Sequence, residues 1–170
     1  MHEVIIYTDG ACLNNPYGPG GYGTVLLHER NGKKHKKELS GGFNNTTNNR
    51  MELMAVIVGL EALKKPCSVK VFSDSKYIVD AINLGWMDRW KRFGWYKNAK
   101  RNARPKNIDL WKRLVAAMES HNVQFEWVKG HAGIDLNERC DQLATGAAEG
   151  EDLPEDTRPD EEVDQIKIEM

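Results

Sequence analysis

Val4-Ile5-Ile6-Tyr7-Thr8-Asp9-Gly10 is an apolar, β-branched run that stops on a carboxylate. A continuous run of this kind suits a central strand buried on both faces. A second short run, Val69-Lys70-Val71-Phe72-Ser73, also stops on a carboxylate, Asp74. Between them the period is helical. Leu53, Met54, Val56, Ile57, Leu60 and Leu63 line one face, and Pro66 lies just past the end. Two strands joined through a helix lie parallel under the right-handed crossover rule. The ends that carry Asp9 and Asp74 are then neighbours. In open α/β sheets this edge is where ligands bind.

Working outward, a loop rich in Asn, Pro and Gly spans Asn14 to Gly21, and Tyr22 to His28 reads as a second strand. Asn31-Gly32 is a hairpin turn signal, so Lys34 to Ser40 forms the third strand. Its lysines suit an exposed edge, where charge discourages pairing with another chain. Ser75 to Leu84 reads as a short helix, and Trp111, Leu114, Val115 and Met118 mark another. Val123 to Val128 alternates as a strand. The last helix begins near Asp135, whose spacing from Glu138 fits a capping box, and runs to Ala147. The order predicts an α/β fold: a five-stranded mixed sheet, three antiparallel strands then two parallel, flanked by helices.

The 170 residues suit one domain, and at 40% hydrophobic and 29% charged they read as globular. No stretch approaches the ~18 apolar residues of a membrane span, and Met1 to Gly10 shows no secretory pattern. Cys12, Cys67 and Cys140 lack metal-ligand spacing and read as reduced packing residues. A cytoplasmic, monomeric protein without membrane contact is expected. The net charge of −1 hides two opposite segments. Residues 149–170 hold ten acids and two bases, leaving 22 bases against 15 acids in residues 1–148. The chain therefore divides into a basic domain, 1–148, and an acidic tail, 149–170, expected to be disordered. Such asymmetry points to nucleic acid or a charged surface as partner. Within the domain, residues 86–106 form a segment with eight basic residues between 89 and 106 and no acid among them.

Two further acids border buried helix faces: Glu52, just before the first helix's apolar stripe, and Asp141 on the last helix. Each of the four has an ordinary alternative. Glu52 can complete a capping box with Asn49, Asp74 can cap a helix, Asp9 can serve a turn, and Asp141 can be solvated. Gathered at one sheet end, four carboxylates repel unless cations offset them. Hard oxygen donors suit Mg²⁺ or Mn²⁺, and two such ions about 3.5–4 Å apart serve in-line attack on phosphodiesters.

Tyr7-Thr8-Asp9-Gly10, Thr46-Thr47-Asn48-Asn49-Arg50-Met51-Glu52-Leu53, Ser73-Asp74-Ser75, and Trp127-Val128-Lys129-Gly130-His131-Ala132-Gly133 with Asn137-Glu138-Arg139-Cys140-Asp141 together resemble bacterial type 1 ribonuclease H. The resemblance covers about residues 3–148, in order. It implies a ribonuclease H-like fold and an endoribonuclease that hydrolyses the RNA strand of RNA–DNA hybrids, leaving 5′-phosphate and 3′-hydroxyl ends. It assigns Asp9, Glu52, Asp74 and Asp141 to two Mg²⁺ ions, with Mn²⁺ as a substitute, and His131 to proton movement or product departure. It places hybrid contacts at Asn15, Thr47, Asn48, Asn49, Lys76 and Asn137. In the basic protrusion, about 86–106, it places them at Trp90, Lys91, Arg92 and Lys97. Amide and hydroxyl side chains suit 2′-hydroxyls in the wide minor groove of an A-like duplex. Trp86 is expected to pack the protrusion onto the body. The loop from Asn15 to Gly20 reads one residue longer than the family pattern, and Lys76 stands where Gln is common. Two rivals remain at this level: a non-catalytic hybrid-binding module, and an integrase-like DNA nuclease on the same fold.

Overall fold

The computed structural model describes residues 2–130 and 135–157. Five strands, β1 (His2–Cys12), β2 (Gly20–Arg30), β3 (Lys33–Phe43), β4 (Cys67–Ser73) and β5 (Asn122–Trp127), form one sheet in the order β3-β2-β1-β4-β5. β1 is central. It runs antiparallel to β2, from Val4↔His28 to Cys12↔Gly20, and parallel to β4, from His2↔Cys67 to Thr8↔Ser73. β4 and β5 are parallel, and β2 and β3 antiparallel. The helices are α1 (Asn48–Glu61), α2 (Lys76–Asn83), α3 (Trp86–Arg92), α4 (Ile108–Met118) and α5 (Asp135–Ala148). The mixed sheet read from the sequence is the one observed.

β1 is longer than its apolar run. The strand continues through Asp9 to Cys12 because β2 follows alongside with Gly20, Gly21 and Gly23. The parallel ladder with β4 nevertheless stops at Thr8↔Ser73. Asp9 and Asp74 are thus the next residues on two adjacent strands, both just past the end of the shared ladder.

The core lies between the sheet and α1, α2 and α4. Ile6, Val69 and Val71 meet Leu53, Val56, Ile57 and Leu60 of α1, Ile78 of α2, and Trp111 and Leu114 of α4. α5 covers the opposite face over β1 and β2. Both faces rely on close approach at glycine. A Cβ on Gly10 would fall on the backbone of Met51 and Glu52, and one on Gly23 on the backbone of α5 at Cys140. Among the described residues no helix is long and apolar enough to cross a membrane.

Two expectations need correction. Trp86 does not pack the protrusion onto the body; it is 38% exposed. Met87 is buried instead, and Trp90 meets Trp111 edge-on, with ring centroids 5.7 Å apart. Met87 and Trp90, three apart in the seven-residue helix α3, face the core, while Trp86, one turn before Trp90 at the start of the helix, is left on the exposed margin of that face.

Nor does order end at residue 148. Asn44, just past β3, donates from its backbone N to Pro154 O (2.8 Å) and from Nδ2 to Leu153 O (3.0 Å). Its carbonyl accepts from Asp156 N (3.0 Å). The chain past α5 therefore satisfies backbone groups that the end of an edge strand leaves unpaired. An acidic, Pro-containing composition does not reveal this, because the contacts are with residues over a hundred positions away. The rest of the expected tail, from 158, lies outside the described residues.

Gly10→Ala should destabilise the protein by roughly 1–3 kcal/mol, the usual cost of overpacking a tight contact. Urea unfolding monitored by circular dichroism measures this. A midpoint equal to wild type would show that α1 does not sit directly on β1.

Candidate active site

Three of the four candidate carboxylates come from three elements whose ends the fold brings together. Asp9 projects from β1, Asp74 follows β4, and Glu52 lies on the second turn of α1, held close by the Gly10 contact. Each offers an oxygen such that these atoms all lie within 4.8 Å of one another. Asp9 is 7% and Glu52 8% exposed.

The ordinary roles open to these acids are filled by other residues. Thr47 caps α1, its Oγ1 accepting from Arg50 N at 3.2 Å, so Glu52 is not needed in a capping box with Asn49. Ser75 caps α2, accepting from Ile78 N at 3.4 Å, so Asp74 is not the cap. Asp9 Oδ1 does accept from Gly10 N (2.9 Å), yet the strand continues and no turn forms there. Glu52 Oε2 is buried with no hydrogen-bond partner among the described residues.

This arrangement is unfavourable for charge. Burial and then repulsion from Asp74 push the Asp9 carboxyl up to about 7 from 3.8, with Asp141 adding to the repulsion. Burial and then Asp9 and Asp74 push Glu52 well above the usual carboxylate range. An orphaned buried oxygen beside two further carboxylates, all hard donors, fits a divalent cation. Its charge replaces both the missing partner and the missing solvation.

Asp141 lies half-buried on α5, outside the tight group of three but close enough to act on Asp9 electrostatically. Asn137, one turn earlier on α5, is buried, and its Oδ1 has no partner among the described residues. His131 lies outside the described residues. Gly130, which precedes it, is against Asp74: a Cβ there would come 2.8 Å from Asp74 Oδ2. Trp127 Nε1 donates to the Asp74 carbonyl (3.1 Å), and the Lys76 ammonium sits 4.8 Å from the Trp127 ring centroid.

The candidate hybrid contacts fall into two regions. Asn48 and Asn49 are exposed on the first turn of α1, one turn before Glu52, and the exposed Asn15 joins them, its Oδ1 accepting from Asn48 N (3.0 Å). Lys91, Arg92 and Lys97 are exposed on the protrusion, while Trp90 is half-buried against Trp111. Sequence reasoning passed over Arg50, which is 1% exposed. It stands among the motif residues that were noticed, but a charged residue between two exposed Asn and Glu52 carries no mark of burial.

Comparison with known proteins follows the same lines. A family model described as RNase H matches residues 1–149. The chain is 56% identical over 158 residues to a protein named Ribonuclease H from Desulforamulus reducens, covering 93% of this chain and 95% of that one. It is 57% identical over 155 residues to another of that name from Lachnoclostridium phytofermentans, covering 91% and 97%. Among solved structures, LC9-RNase H1, a type 1 RNase H with the type 2 active-site motif, superposes with TM-score 0.78 at 33% identity, over 87% of this chain and 72% of that one. LC11-RNase H1 in complex with RNA/DNA hybrid gives TM-score 0.62 at 27% identity, over 85% and 96%.

The raised carboxyls set a direction for stability. Without metal, the folded state holds a proton on Asp9 between about 4 and 7 that the unfolded chain has released. Stability therefore falls as pH rises through that window. Asp9→Asn removes this penalty. In chelator at pH 8 it should raise the melting temperature by ~2–4 °C or more, the shift for about 1 kcal/mol in a domain of this size. The wild-type-minus-variant difference should shrink toward pH 4. A variant less stable than wild type at pH 8 would contradict the strained cluster.

Proposed function

The chain belongs to the ribonuclease H family, and from that premise we propose that it is a metal-dependent endoribonuclease that cuts the RNA strand of RNA–DNA hybrids. The observation that carries the reading is the close group of buried Asp9 and Glu52 with half-buried Asp74, and its orphaned Glu52 oxygen. A binding module has no need of a carboxylate cluster that opposes its own folding. The choice of RNA–DNA hybrid over duplex DNA rests on the family and on the exposed amides next to that cluster. An RNA–DNA hybrid is what LC11-RNase H1, a structural relative, is complexed with.

In this reading Asp9, Glu52, Asp74 and Asp141 hold two Mg²⁺ ions, with Mn²⁺ able to replace them. The chemistry such ions would supply is activation of water and an offset to charge on the attacked phosphodiester and the leaving 3′-oxygen. The protein's own groups do the rest. Asn15, Thr47, Asn48 and Asn49 offer donors and acceptors beside the cluster for 2′-hydroxyls and minor-groove edges, which distinguishes RNA from DNA without reading sequence. Lys76, beside Asp74, adds a charge for phosphate, and Asn137 adds an amide. Lys91, Arg92 and Lys97, with Trp90 behind them, take the duplex backbone farther along. His131, the residue after Gly130 in the sequence, would transfer protons near neutral pH. The products carry 5′-phosphate and 3′-hydroxyl ends. The protein acts in the cytoplasm as a monomer, and the described residues contain no helix that would span a membrane.

Incubation with Mg²⁺ and end-labelled hybrid, duplex DNA, duplex RNA and single-stranded RNA tests this. Cleavage confined to the RNA strand of the hybrid is expected. Cutting of duplex DNA but not hybrid would replace the assignment with the DNA-nuclease alternative. Asp74→Asn should lower kcat roughly 1,000-fold or more, because it removes charge stabilisation of several kcal/mol, while hybrid binding persists. Lys91→Ala and Arg92→Ala should each flatten the log–log dependence of hybrid affinity on salt. The slope should fall by roughly 0.7–0.9 for every phosphate left without its cationic partner. An unchanged slope would remove these residues from the interface.

A further inference from the structure

The chain beyond α5 returns to the active-site helix through one carboxylate. Asp156 Oδ2 accepts from Arg50 Nε at 2.6 Å and from Thr46 Oγ1 at 2.7 Å, and Oδ1 accepts from Arg50 Nη2 at 3.1 Å. Thr46 and Arg50 are both buried and flank Thr47, Asn48 and Asn49. A single side chain more than a hundred residues away therefore clamps both ends of the strip that carries the candidate minor-groove contacts.

The strip is also tied to its neighbour loop. Thr46 N donates to Gly18 O (3.0 Å), Tyr17 N donates to Thr46 O (2.7 Å), and Asn48 N donates to Asn15 Oδ1. A shift of Thr46 thus moves Asn15 as well. Arg50 has a second anchor on α4, a two-pronged ion pair with Asp109 (Nη1–Oδ1 2.9 Å, Nη2–Oδ2 2.8 Å). If Asp156 is removed, the guanidinium keeps an ionic partner and α1 keeps its core packing. The end that loses its side-chain anchor is Thr46, which then hangs on its backbone bonds to the Tyr17–Gly18 loop.

We propose that Asp156 is a positioning residue for hybrid recognition: by binding Thr46 and Arg50 together it holds Thr47, Asn48 and Asn49 in the arrangement that reads the duplex. This rests on the hybrid-cleaving function proposed above. It gives the segment after α5 a part in substrate recognition, where charge alone suggests only a repulsive appendage.

Steady-state cleavage of hybrid by the full chain tests it. Asp156→Ala should raise KM about tenfold or more, within the loss expected when contact groups move by about 1 Å, with kcat changed less than about threefold. Asp156→Asn, which keeps one acceptor, should fall between Asp156→Ala and wild type. It serves as the main variant should the alanine form fold poorly. Thr46→Val cuts the same clamp at its other end, so combining it with Asp156→Ala should raise KM little further. The control is Arg113→Ala, which breaks the Arg113–Glu61 pair (2.6 Å) at the far end of the same helix. It should lower stability without moving KM. A KM for Asp156→Ala within about twofold of wild type, or an equal rise in Arg113→Ala, would overturn the positioning role. Failure of wild type to cut hybrid would instead overturn the functional reading beneath it.

Discussion

Mutual repulsion among Asp9, Glu52 and Asp74 is the constraint around which the structure is arranged. Left to solvent, these groups would separate. They are kept within 4.8 Å of one another by packing that does not involve them. Two strands end their shared ladder at the same level, and α1 lies close enough on β1 that only glycine fits at position 10. The cost appears in the carboxyls themselves, both Asp9 and Glu52 displaced toward the protonated state by burial and by repulsion from Asp74. Natural proteins keep such strain where it serves a reaction, and three hard oxygen donors this close suit a divalent cation, whose charge would relieve it.

Arg50 is the second buried charge on α1, and it is handled in the opposite way. It is surrounded by Asp109, Asp156 and Asn107 Oδ1, each within hydrogen-bond distance. Partners of this quality are what a desolvated guanidinium requires. The same network passes outward, since Asn107 Nδ2 and Trp111 Nε1 both donate to Tyr77 OH (3.1 and 3.0 Å). Trp111 in turn carries Trp90 of the basic segment. The first turn of α1, which leads into Glu52, and the protrusion are therefore linked by buried polar contacts and aromatic packing.

Much of this was legible in the sequence. The apolar runs ending at Asp9 and Asp74, the helical period after Glu52 and the crossover rule together place three carboxylates at one sheet edge. Lysine spacing marks β3 as an edge, and the acid-free run from 89 to 106 marks the basic face. The misreadings share one cause. Trp86 and Trp90 are the same residue type four positions apart, and which one turns inward depends on how α3 docks against Trp111. The stretch 153–156 is acidic and proline-containing, and its order comes from Asn44, Thr46 and Arg50, which composition does not include.

Local pattern alone thus determined the element order, the sheet's mixed topology and the identity of the acids, because strand and helix periods and crossover handedness are properties of short segments and of chirality. Only the tertiary structure decided which ordinary roles the acids escape, that Arg50 is buried, and that Asp156 closes onto it. Those outcomes depend on contacts between residues far apart in the chain. A charged side chain reads the same in sequence whether it meets water or a partner more than a hundred residues away.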